Sequence, residues 1–170
     1  IAAGTIDAKP QSSSDFILAA SGIERRYVLD KSGILDPKRM YPSLPTRGDD
    51  EPSFMAEMAV DAALQAMTQA GRAAPDIGAV ICAASNFERA YPAIAVEIQN
   101  LLEIEGFAFD MNVACSSATF GIQMATDMIK SGSITSALVV CPEICSAHLE
   151  WRDRDCHFIF GDVATAVLVE

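Results

Sequence analysis

Cys115 is the residue whose type and setting best suit covalent chemistry. It stands in FAFDMNVACSSATFGIQMA, where an apolar run of strand character hands over to a run of helix formers. A thiol at a helix N-terminus faces unpaired backbone N–H groups and the positive end of the macrodipole, which favour thiolate over thiol. Thiolate is the nucleophile, and the same N–H groups suit an oxyanion formed when it attacks a carbonyl. The neighbours Ala114, Ser116, Ser117 and Ala118 are small and leave space for a substrate. The competing reading is a buried, inert cysteine, since a single Cys is a weak motif. Cys82, Cys141, Cys145 and Cys156 read as inert packing. Cys141-x3-Cys145-x2-His148 has the spacing of half a zinc site. Zinc sites usually pair two such knuckles, and with one present no metal is expected.

The elements that hold Cys115 are legible in the flanking pattern. SFMAEMAVDAALQAMTQAG reads as a helix that Ser53 caps and Gly71 closes in a left-handed conformation. IGAVICAAS is too short for a helix core and suits a strand buried on both faces. Pro92 opens a second helix, PAIAVEIQNLLEI, with Ile94, Ala95, Ile98, Leu101 and Leu102 on one face. FAFDMNV is a strand, CSSATFGIQMATDMIKSG a third helix ending at Gly132, and SALVVC another strand. HFIF and ATAVLVE read as two more, separated by Gly161-Asp162. Strand and helix alternating at these spacings predict parallel crossovers and a layered α/β domain.

Residues 1–52 have a different texture. Ser12 to Ser14, four prolines from Pro37 to Pro52, the acidic Asp49-Asp50-Glu51 and seven of the twelve basic residues mark a loop-rich segment with short elements. The chain therefore divides into 1–52 and 53–170. With 170 residues, 51% of them apolar, there is room for one well-filled core. The net charge of −11 argues against a nucleic-acid role carried by overall positive charge. No stretch approaches the ~20 apolar residues of a membrane span, and IAAGTIDAKP lacks the regions of a secretory signal, so a cytoplasmic location is expected. Five cysteines in apolar surroundings fit reduced thiols.

Several segments together resemble the N-terminal half of a β-ketoacyl-ACP synthase III, of the thiolase-like superfamily. They are SGIERRYVLD, the helix end QAMTQAG, IGAVICAAS with RAYPAIAVEIQNLL, FDMNVACSSATFGIQMATDMIKSG, SALVVCPEI and DRDCHFIFGDVATAVL, which follow the family's order through most of residues 15 to 170. The resemblance implies a thiolase-like αβαβα layered fold, this chain being its N-terminal half with a mixed, mainly parallel sheet. It also implies a homodimer, no cofactor, and a decarboxylating Claisen condensation in fatty acid biosynthesis. An acyl group passes from acyl-CoA to Cys115, and malonyl-ACP then loses CO2 and attacks the thioester. The family's enolate-stabilising His and Asn lie in its C-terminal half, and neither His148 nor His157 matches them. On that reading the chain is a fragment, or one chain of a cleaved protein, that does not complete condensation alone.

Carried over position by position, the resemblance assigns substrate binding to six residues. Phe16 stands where CoA-primed members carry a Trp, and Ala20 where they carry an Arg. Arg154 matches an Arg that packs on the far side of the adenine, and Arg152 is a candidate to compensate for Ala20. Tyr91 matches a Phe that reaches the partner subunit's acyl pocket; Ile159 and Phe160 match pocket-lining positions. Relatives that condense head to head use a catalytic Glu nearby, and Glu88 is out of register with it. Gly161-Asp162-Val163-Ala164-Thr165-Ala166 lacks two of the family's glycines, Ser116-Ser117 replaces its Ala-Gly, and Lys31 to Pro52 is a long insertion. These departures suggest a divergent subgroup taking medium-length acyl chains. The alternatives are an elongating ketosynthase that takes acyl-ACP, and a non-catalytic partner subunit.

Overall fold

Ser13 and Asp30 start the two short helices of the loop-rich segment in this computed structural model, which describes residues 12–170. Ser13 Oγ accepts from Phe16 N at the head of α1, Ser14–Ser21. The Asp30 carboxylate accepts from Ser32 N and Gly33 N at the head of α2, Lys31–Leu35. The IAAGTIDAKP stretch lies outside the described residues.

The first long helix, α3, runs Phe54–Ala70 between the ends its sequence predicts. Ser53 Oγ accepts from Ala56 N at 3.1 Å, and Gly71 closes the helix at φ 66°. Then come β1 (Ala79–Ala83), α4 (Ile94–Leu101), β2 (Phe107–Met111), α5 (Ser117–Lys130), β3 (Ala137–Ile144) and β4 (Asp162–Val169). The sheet order is β2-β1-β3-β4, with β1 parallel to both of its neighbours and β4 antiparallel to β3. The mainly parallel α/β architecture expected from the alternation is the one observed.

Every position of β1 is buried because helices cover both faces of the sheet. Val80, Cys82, Leu138 and Val140 point to one side, into a cluster with Met55, Ala59 and Ala63 of α3 and Ile94 and Ile98 of α4. Ile81, Ala83 and Val139 point to the other, against Ala125 of α5. The period-two alternation of a strand thus divides one apolar run between two cores. α5 lies close on the sheet, since a β-carbon at Gly121 would stand 2.8 Å from Val139 Cγ1.

Two expectations are corrected. Pro92 does not open α4; it precedes the N-cap, Ala93, and the helix begins at Ile94. The Asp110 carboxylate of β2 sets that start by accepting from Ile94 N at 2.9 Å and Ala95 N at 2.8 Å. HFIF is not a strand. The chain turns there, with Ile159 N donating to Cys156 O, while Arg26 donates its Nε and Nη2 to Ile159 O. A side chain therefore occupies a carbonyl that a sheet neighbour would need.

Candidate active site

β2 delivers the chain to Cys115 and α5 carries it away, leaving Asn112 to Ser116 to make the turn. Ala114 adopts φ 48°, a left-handed conformation that costs an alanine about 1–2 kcal/mol. Side chains hold it there. Asn112 Oδ1 accepts from Ala114 N at 3.0 Å, and Ser117 Oγ accepts from Val113 N at 2.8 Å and donates to Ala114 O at 2.7 Å. Ala114–Ser116 form one turn of 3₁₀ helix, with Cys115 at its centre and its side chain exposed. No side chain caps the start of α5. The sequence reading placed Cys115 where strand gives way to helix, and it stands one turn ahead of the α-helix proper.

Cys115 lines a cavity of about 530 Å³. Arg25, Arg26, Tyr27, Ser85, Glu143, Ile159 and Phe160 also line it, Arg26 being bonded to Ile159 O. Cys141 and Cys145 also face it. Burial pushes the Cys145 thiol up to about 11, with the negative charge of Glu143 and Asp162 and the Cys115 thiol adding to the effect. Burial likewise raises Cys141 and Cys82. These thiols stay protonated at neutral pH, and of the three in the cavity only Cys115 is exposed. All five cysteines are free. Among the described residues no group of three or more His, Cys, Asp and Glu is disposed to hold a metal.

Cys115, Ile159 and Phe160 share this cavity, whereas the other residues assigned to binding do not line it. Phe16 and Arg154 pack on each other, Arg154 Cζ standing 5.0 Å from the ring centroid. An adenine between them needs about 7 Å, two stacking distances, so the slot is closed here. Arg152 is engaged elsewhere, donating to Lys38 O and Arg39 O and pairing with Glu150 at 3.6 Å. Tyr91 lines a second cavity of about 330 Å³ and is 89% exposed. Glu88 accepts from Met55 N at the head of α3.

Sequence reasoning missed the residues that build the turn. Ser117 read only as a small neighbour of the cysteine and Asn112 only as part of the strand FAFDMNV, yet their side chains take up two of the turn's backbone N–H groups. Asp162 read as part of a tight turn between strands. It is buried, and its carboxylate accepts from Leu29 N, Ser146 N and Ser146 Oγ, tying the loop-rich segment to the end of β3. The available signal was polar residues of hydrogen-bonding type beside apolar strands.

A family model described as 3-Oxoacyl-[acyl-carrier-protein (ACP)] synthase III matches residues 109–170, from inside β2 through the cysteine turn and β4 to the last residue. A protein of Pseudomonas aeruginosa named beta-ketodecanoyl-[acyl-carrier-protein] synthase is 60% identical over 170 residues, which are 100% of this chain and 49% of that protein. Over its whole length the chain is similar to part of a β-ketoacyl-ACP synthase. A synthase III of Acidiphilium cryptum is 42% identical over 113 residues, 66% of this chain and 35% of its own. The 3-oxoacyl-[acyl-carrier-protein] synthase III of Aquifex aeolicus superposes with a TM-score of 0.77 at 26% identity, covering 92% of this chain and 44% of that one. The chain spans about half the length of the curated synthases it matches.

Proposed function

We propose that the protein is a condensing enzyme in which Cys115 accepts an acyl group from acyl-CoA and passes it to malonyl-ACP. The observation that carries this is an exposed thiol in the wall of a cavity of about 530 Å³, held on a left-handed turn ahead of α5. The Cys115 thiolate attacks the acyl carbonyl and the CoA thiolate leaves. Malonyl-ACP then loses CO2, and its carbanion attacks the enzyme thioester. β-Ketoacyl-ACP forms, and the Cys115 thiolate is released. No cofactor is needed for either half-reaction.

The donor is an eight-carbon acyl chain on this reading. The relative that matches the whole chain is named for a β-ketodecanoyl product, and the malonyl unit supplies two of its ten carbons. The divergences at Ser116, Ser117 and Val163 fit a medium-length chain of this kind. Ile159 and Phe160 give the chain apolar walls. Phe16 and Arg154 grip the adenine of CoA once they part to admit it. The exposed Tyr91 ring suits an aromatic that reaches a second copy of the protein in a homodimer. An acyl carrier protein is the partner for the second step. The reaction takes place in the cytoplasm; among the described residues no helix is long and apolar enough to cross a membrane.

Incubation of the full-length protein with radiolabelled octanoyl-CoA tests the proposal. Label should appear on Cys115 and vanish in Cys115→Ala. Absence of label from the parent protein would favour a non-catalytic partner subunit.

A further inference from the structure

Ala114 is a non-glycine residue at φ 48°, immediately before the nucleophile. Such a conformation persists only where its surroundings over-determine it. The bond that reaches Ala114 N comes from Asn112, and that carboxamide is itself anchored. Asn112 Nδ2 donates to Ser85 O at 2.9 Å, across the sheet on the loop after β1. Ser85 is fixed in turn by Glu143 of β3, whose Oε1 accepts from Ser85 N at 2.5 Å and from Ser85 Oγ at 2.6 Å. A continuous path therefore runs Glu143, Ser85, Asn112, Ala114, linking the ends of β3, β1 and β2 to the residue that aims Cys115. Ser85 and Glu143 also line the cavity that Cys115 faces.

We propose that Asn112 is a positioning residue for Cys115: its carboxamide, anchored through Ser85 to Glu143, holds Ala114 left-handed and thereby sets where the thiol stands in the cavity. The inference rests on the reading of Cys115 as the acyl-accepting nucleophile. Its physical content is that one amide bridges two loops. The donor end fixes the carboxamide to a strand end that cannot move without disturbing β1, and the acceptor end occupies the N–H whose direction defines the turn. Without it, Ala114 relaxes toward negative φ and the sulfur leaves its place. A displacement of about 1 Å at a reacting atom costs on the order of 100-fold in rate.

The test is a double-mutant cycle between Asn112→Ala and Ala114→Gly in the full-length protein, with folding checked by thermal melting. Glycine holds the left-handed conformation without help, so it makes the Asn112 bridge dispensable. Two readouts are taken, single-turnover acylation by octanoyl-CoA and alkylation of Cys115 by iodoacetamide at fixed pH, each against Cys115→Ala as background. Asn112→Ala alone should slow acylation about 10- to 100-fold with little change in the concentration dependence. In the Ala114→Gly background the same substitution should cost no more than about 3-fold. Alkylation should show the same pattern of loss and rescue.

A loss of equal size in both backgrounds would mean that Asn112 contributes only general stability, and the proposal fails. Unchanged alkylation in a folded Asn112→Ala variant overturns it equally. If octanoyl-CoA does not acylate the parent, the assignment of substrate falls, while the alkylation cycle still decides the positioning role.

Discussion

Two helices begin beside the same strand, and their ends are treated in opposite ways. α4 begins with Ile94 N and Ala95 N both bonded to the Asp110 carboxylate, in a site where Ile94 and Ala95 are fully buried. α5 begins seven residues beyond Asp110, directly after the turn that carries Cys115, with no side-chain cap and with its first residues facing the cavity. Both ends present N–H groups to an anion. The chain fills the first with its own carboxylate and places no side-chain acceptor at the second, where Ser116 N and Ser117 N bond to the carbonyls of Val113 and Ala114. The difference separates a structural helix end from one available to a reacting group, and burial of the partner rather than the helix itself decides which is which.

The largest effect expected is at the uncapped end. Cys115→Ala should abolish thioester formation from octanoyl-CoA while leaving the melting temperature within the range of a surface substitution, about 0.5 kcal/mol. Loss of fold in that variant would show that the uncapped end, too, is structural. At the sealed end the pattern inverts. Asp110→Ala strips the acceptor from two buried N–H groups and should cost about 2–4 kcal/mol in urea unfolding.

The Asp110 carboxyl also sharpens the contrast through pH. Burial raises its pKa, against the lowering effect of the bonds from Ala95 N and Ile94 N, and the charge of Glu97 raises it further. A carboxyl raised in the folded state binds its proton more tightly there than when unfolded. Its contribution is therefore fully present below the unfolded value of 3.8 and is lost as pH rises through the higher folded value. The stability difference between the parent and Asp110→Asn should shift against the parent as pH is raised across that window, measured by chemical unfolding at a series of pH values. A difference that stays flat would mean the carboxyl is not desolvated.

Two smaller effects complete the comparison. Ser53→Ala removes the cap of α3, a third helix end of ordinary kind, and should cost about 1 kcal/mol without changing the acylation rate. Ala114→Gly should raise stability by up to about 1 kcal/mol, because glycine carries no penalty at φ 48°, the gain being partly offset by the greater freedom of the unfolded chain. A destabilised Ala114→Gly would indicate that the alanine methyl packs against something worth more than the backbone cost.

Periodicity and capping residues were enough to locate α3 to the residue. Ser53 and Gly71 act through bonds to residues three or four positions away, and such local chemistry is visible in a linear string. β1, β2 and β3 were recognisable for a similar reason, since a short apolar run bounded by polar residues has few other uses. HFIF was misread because its composition suits a strand, and only the guanidinium of Arg26, 133 residues distant, takes up Ile159 O. The start of α4 was misplaced by two residues because Asp110, which fixes it, follows the helix in sequence. The binding assignments at Phe16, Arg152 and Arg154 came from aligned positions. In the structure these side chains meet partners of this chain, one being the Lys31 to Pro52 insertion, which family patterns do not contain.

The linear order of residues, taken alone, determined α3, α5 and the cores of β1 to β4, though not the turn at HFIF, and put a cysteine where strand gives way to helix. Those choices depend on neighbours within a turn or two, so no distant partner was required. Tertiary structure decided that Asp110 closes α4 and not α5, that Asn112 reaches Ser85, and that Cys115 is the exposed thiol among three in its cavity. Each of these depends on β1 lying between β2 and β3, which brings residues far apart in the chain within hydrogen-bonding distance at one end of the sheet.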